Sequence, residues 1–283
     1  MMSAFDELLK PPPGMDINFA QPAGEPSLAP AGGVTWRVFS NPITMFVGGV
    51  SAVLLELAEP SVRSGVWDHS SFRTDPAKRL HRTGFAAMIT AYAAQSKARE
   101  VIAHVVSIHD KVRGATPDGK PYFANDPRLL NWVQATATFG FTEAYHRFAA
   151  SLSSTDKDAA FAESGPSAEL FGATGAPRSW REWENILAEM APDLEGSDIL
   201  GEFLAIMNQA PILPRPLRWV QRLLVRAAVD ITPEPVRSLP QLRDKGLRAG
   251  EALLITVFAH VVSVVPKRHT PAAQAAKRMG IRL

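Results

Sequence analysis

Val101-Ile-Ala-His-Val-Val-Ser-Ile-His-Asp-Lys-Val-Arg-Gly114 is the stretch on which the reading of this chain turns. Ile102, Val105 and Val106 precede His109 by seven, four and three positions, and Val112 follows it by three. On a helix these five residues share one face, so His109 points with the apolar stripe toward the interior. His104 lies about 140° away around the same helix and can be wet. An imidazole on an inward face needs a partner. It can bond a backbone carbonyl or a carboxylate as a core histidine, or it can ligate a metal ion. From this helix alone both readings stand.

The preceding segment sharpens the choice. Asp75-Pro76 reads as an N-cap with proline at the first helical position. The helix that follows carries Arg79, Arg82, Thr83, Ala86, Ala87, Thr90, Ala91 and Ala94 along one side. That side begins with two cations and a hydroxyl and continues with residues that are nearly all small. Small side chains admit either a second helix or a flat ligand, and the cations could meet the carboxylates of that ligand. The plain alternative is tight helix packing with solvated arginines. Set beside an inward histidine on the next helix, the pattern suggests a haem pocket. His109 would be the axial metal ligand, and the arginines would serve the propionates.

Composition narrows the classes. The chain has 283 residues, 46% of them hydrophobic, enough for one large core. Thirty basic residues against 28 acidic ones leave a net charge of +2. No basic cluster is interleaved with aromatics, so nucleic acid is not an expected partner. There is no cysteine, which removes disulfides, thiolate catalysis, Fe–S clusters, thiolate-ligated haem and Cys-based zinc sites. The first seven residues include Asp6 and Glu7 and no apolar run follows, unlike a signal peptide, so a cytoplasmic location is expected. The apolar runs at 43–58 and 252–265 fall short of the roughly 20 residues of a membrane span. They are read as buried helices, with no integral membrane span. Lys267, Arg268, Lys277, Arg278 and Arg282 make the end of the chain basic, either a solvated tail or a weak contact for anionic lipid.

Residues 1–33, rich in proline and glycine from Pro11 onward, are expected to form an extended arm. It would lie on the surface or on a second subunit of a homo-oligomer. Residues 34–283 are expected to form a single all-α domain of about ten helices, a bundle unrelated to the globins. Helices are expected at 42–58, 60–67, 76–94, 97–113 (closed by Gly114), 127–150, 156–171, 180–190, 198–209, 215–229 and 250–265, with a short last one after Thr270-Pro271. Thr155 with Asp158, and Ser179 with Glu182, read as capping boxes. No Walker loop, Gly-x-Gly-x-x-Gly, His-Glu-x-x-His or Gly-x-Ser-x-Gly occurs. Glu143-Ala-Tyr-His146 is a single Glu-x-x-His, where a di-iron bundle needs two.

Several segments in order resemble the latex-clearing rubber oxygenase and MpaB-type oxygenase family. They are Leu54-Leu-Glu-Leu-Ala-Glu-Pro-Ser-Val-Arg-Ser-Gly-Val66, His69-Ser-Ser-Phe72, Arg79-Leu-His-Arg-Thr83, Ile108-His-Asp-Lys-Val-Arg-Gly114, Tyr122-Phe-Ala-Asn-Asp-Pro127 and Leu130-Asn-Trp-Val-Gln-Ala-Thr136. The resemblance implies an all-α, haem b-dependent oxygenase that uses dioxygen on a hydrophobic, unsaturated, isoprenoid-like molecule. It implies that His109 is the proximal ligand and that Arg79 and Thr83 line the pocket. Arg82 stands where rubber-cleaving members can place a lysine near the distal side. Arg113, from the His109 motif, and Gln134, where many members have a histidine, complete the implied cofactor contacts. Many members read Ala-His-Pro where this chain has Ala58-Glu59-Pro60, which makes Glu59 a candidate base. Two other functions share the pattern: a non-catalytic haem or lipophilic-ligand binder on the same scaffold, and a cofactor-free helical interaction protein in which His109 is simply buried.

Overall fold

Prolines and side-chain caps set the helix starts. In the computed structural model, which describes residues 11–264 and 270–281, Asn41 accepts hydrogen bonds from the backbone N–H groups of Ile43 (3.0 Å) and Thr44 (3.3 Å). Pro42 follows at a position where no N–H is needed. Asp75 and Asp126 cap the helices begun by Pro76 and Pro127 in the same way.

The described residues contain thirteen α-helices: α1 (Val34–Val38), α2 (Pro42–Ala58), α3 (Pro60–His69), α4 (Pro76–Tyr92), α5 (Gln95–His109), α6 (Pro127–Phe148), α7 (Ser154–Phe171), α8 (Trp180–Met190), α9 (Asp198–Gln209), α10 (Arg218–Ile231), α11 (Glu234–Arg237), α12 (Glu251–Ser263) and α13 (Pro271–Met279). The expected all-α class holds. One addition is a short antiparallel hairpin, β1 (Arg113–Ala115) with β2 (Pro121–Phe123). The helix of His109 therefore ends at His109 rather than at 113. Gly114 is not its cap. It pairs with Tyr122, and a Cβ there would lie 2.7 Å from the tyrosine hydroxyl. The first capping box is also shifted by two residues, to Ser153 and Asp156. At Ser179 the hydroxyl caps Glu182 N–H, but the Glu182 carboxylate accepts from Arg178 N–H instead of closing a box.

Helices α2 and α6 cross at the centre of the molecule. A Cβ on Gly48 would come within 2.6 Å of the Gly140 carbonyl, so both positions must be glycine for the backbones to touch. Around this crossing, Leu54, Leu55, Trp132, Phe203, Leu224 and Ile255 build the main core. The run at 43–58 is thus a core helix, as expected. Among the described residues no single helix is long and apolar enough to cross a membrane.

A second core packs α1, α4, α5 and α13 together, and here the arm departs from expectation. Residues 1–10 of it lie outside the described residues, as do Lys267, Arg268 and Arg282 of the basic end. The described part is docked on the body. Phe19 is buried against Phe85 in an edge-to-face contact of 5.6 Å. Arg278 donates to the backbone carbonyls of Phe19 (2.6 Å) and Glu25 (2.7 Å). Proline and glycine fix the path of this segment, while its few large side chains supply the burial.

Candidate functional site

Three helices bring the site together. α2 is apolar along most of its length, so the carboxylate of Glu56, in its last turn, enters the molecule with the rest of the helix face. α4 brings Arg79, whose guanidinium lies over the Phe72 ring at 5.5 Å from its centroid. The Arg79 guanidinium donates to the Thr83 hydroxyl, and that hydroxyl donates to the Arg79 carbonyl at 2.8 Å. The i, i+4 pair is thereby locked on one side of α4. α5 ends at His109, half-buried. Asn125, in the turn between the hairpin and α6, donates to Val106 O (3.2 Å) and Asp110 Oδ1 (2.8 Å), and so holds the last turn of α5 in place.

The electrostatics are unusual for so small a cluster. Burial pushes the Glu56 carboxyl up to about 7, against the opposing pull of the Arg79 guanidinium and the Thr136 hydroxyl. Burial lowers the Arg79 guanidinium below its ordinary value, with Glu56 opposing and Arg82 adding to the effect. Burial also lowers the His109 imidazole; Asn125 opposes this and Arg79 reinforces it. His109 is therefore neutral near pH 7. Its Nδ1 is buried and has no hydrogen-bond partner. Asn125 is the side chain that acts on the ring as a hydrogen-bond partner, without reaching Nδ1 in good geometry. A neutral imidazole with an unsatisfied buried nitrogen has the chemistry of a metal ligand. Among the described residues no group of three or more His, Asp or Glu side chains is placed to hold a bare metal ion. A single imidazole is the donor a haem iron takes from a protein, so the residues present fit a haem: His109 would hold its iron and Arg79 would supply a cation beside it.

The other sequence candidates divide. Thr83 and Arg82 lie at the same end of α4 and are exposed, so the arginine end of the site faces solvent. His104 is exposed, as expected. Glu59 is elsewhere: it caps α3, accepting from Val62 N–H at 2.7 Å, and its second oxygen pairs with Arg128 at 3.3 Å. Both of its oxygens are engaged by structural partners. Arg113 sits on the exposed hairpin, donating to Asp110 O at 3.1 Å and stacking over Phe123 at 5.8 Å. It is engaged there. Gln134 lies about 200° around α6 from Thr136, away from the Glu56 side. Glu56 itself was missed by motif reasoning. Its signal was present as the one carboxylate in the apolar run 43–58.

Residues 36–264 match the family described as ER-bound oxygenase mpaB/B'/Rubber oxygenase, catalytic domain. The chain belongs to this family. The match covers every element that builds the site, from α2 to α6, and supports an oxygenase with the all-α architecture seen here. No curated protein and no solved structure matches the chain.

Proposed function

We propose that this chain is a haem b-dependent oxygenase that uses dioxygen on a small hydrophobic, unsaturated, isoprenoid-like substrate, with His109 as the axial ligand. The observation that carries the reading is a half-buried, neutral His109 whose buried Nδ1 makes no hydrogen bond of good geometry and on which the Arg79 guanidinium acts. Haem, when bound, supplies a redox-active iron able to activate dioxygen.

The chain's own groups have separable tasks. His109 would hold the iron, and Asn125 fixes the helix end from which it projects. Arg79, held by Thr83, contributes a fixed cation to the cofactor's carboxylates or to developing negative charge. Arg82 adds a second cation at the solvent end. Glu56 can hold or release a proton at its carboxyl oxygen at neutral pH, because burial has brought its pKa to about 7. Ile108 and Phe123, large and exposed beside the end of α5, offer an apolar approach suited to a greasy substrate.

The test is reconstitution of the purified chain with haemin, followed by oxygen uptake in the presence of an unsaturated isoprenoid oligomer. A Soret band with alkene-dependent oxygen uptake is expected. A Soret band without uptake would make the protein a haem carrier on this scaffold. No Soret band would leave a cofactor-free helical protein.

A further inference from the structure

α12 presents an outer face that the other described residues do not cover. Leu253, Leu254, Val257 and Val261 are all exposed, Leu253 at 68%. Their spacing places them on one side of the helix, opposite Ile255 and Ala259, which are buried in the main core. The helix spans 13 residues, about 20 Å. Beside it, Trp219 of α10 is 52% exposed and meets Phe258 of α12 edge-to-face at 5.8 Å. A contiguous ridge of aliphatic side chains flanked by an exposed tryptophan marks an interaction surface.

The charge around the ridge selects its occupant. Trp219, Arg222 and Arg226 follow one another at i, i+3 and i+7 along the side of α10 that faces α12. Arg226 is paired with Glu251. Arg215, Arg218 and Arg222 have no carboxylate partner among the described residues, and the Nε of Arg218 is buried without any hydrogen bond. α12 carries a single acid, Glu251, and it is already engaged. A second copy of this face would bring the same bare cations and no free carboxylate to neutralise them. An anionic phospholipid surface brings both missing parts: acyl chains for the leucines and valines, and phosphates for the arginines.

We infer that α12 and the start of α10 form a peripheral membrane-docking face. The α12 ridge and Trp219 enter the headgroup boundary of an anionic leaflet, and Arg215, Arg218 and Arg222 bind its phosphates. Tryptophan favours that boundary, where its ring is apolar and its N–H is wet. This docking is independent of the haem site, since none of its residues lies on α2, α4 or α5.

Vesicle flotation of the full chain tests the inference, with phosphatidylcholine vesicles set against vesicles of three parts phosphatidylcholine to one part phosphatidylserine. The wild type is expected to float with the anionic vesicles, less with the neutral ones, and less in high salt. Val257→Asp with Val261→Asp should abolish flotation, with helical CD and melting unchanged because both positions are exposed. Arg222→Gln should weaken binding about fivefold. A wild type that stays with the unbound protein, or an aspartate variant that floats as the wild type does, would overturn the docking face. A dimer at sedimentation equilibrium that the aspartate variant splits would overturn it too, and would assign the ridge to a second copy of the chain.

Discussion

Glu56 on α2 and Arg79 on α4 act on each other's charge: burial raises the carboxyl to about 7 and lowers the guanidinium, and each opposes the shift of the other without cancelling it. Arg79 is the group the site shares, since it acts on the Glu56 carboxyl and on the His109 imidazole alike.

Glu56 gives the ligand-free protein a specific pH signature. Its pKa is near the ordinary 4.5 when unfolded and about 7 when folded, so the folded state holds the proton more tightly in between. Stability from this group is greatest below 4.5 and is lost as the pH rises through 7, by about 3 kcal/mol at most. Denaturant unfolding of the wild type and Glu56→Gln between pH 5 and 8 should show that decline in the wild type and its removal in the variant. Equal slopes would mean that Glu56 titrates normally.

Arg79→Ala removes the cation that faces both Glu56 and His109. Charge-assisted hydrogen bonds are worth about 1.5–3 kcal/mol, so haemin affinity should fall roughly tenfold or more. The Soret position should shift as well. Unchanged affinity and spectrum would make Arg79 a partner of Phe72 and Thr83 alone.

Glu59→Gln should act on stability and not on the reaction. The variant weakens the α3 cap and the Arg128 pair, and is expected to cost about 1–2 kcal/mol in chemical denaturation. Oxygen uptake per haem-loaded molecule should stay at the wild-type level. A loss of turnover with stability intact would restore Glu59 as a base.

How far the sequence could be read depended on how local each signal was. Asn41-Pro42, Asp75-Pro76 and Asp126-Pro127 carry cap and start within two residues, and all three helices begin there. The hairpin after His109 was not legible, because its three-residue strands are too short for alternation to show and Gly114 also suits a helix cap. His109 and the Arg79–Thr83 pair could be found from helical spacing. Glu56 could not be assigned a role, since Arg79 lies 23 positions further on and on another helix. The burial of Phe19 was hidden by the proline-rich composition around it, which describes the backbone and not the pocket that receives one aromatic ring.

That buried ring makes the N-terminal segment part of the fold. Phe19→Ala should destabilise the protein by about 3 kcal/mol, as for other fully buried phenylalanines. Denaturant unfolding checks this. A change below a few tenths of a kcal/mol would return the segment to a loose arm.

The central claim is that His109 holds the iron, and stoichiometric haemin titration of the wild type and His109→Ala tests it most directly. One equivalent should bind the wild type with a sharp Soret band. His109→Ala should bind far more weakly, keep its helical CD, and recover an imidazole-ligated spectrum when free imidazole is added. Full haem retention in His109→Ala, with a wild-type Soret band and no response to imidazole, would contradict the assignment.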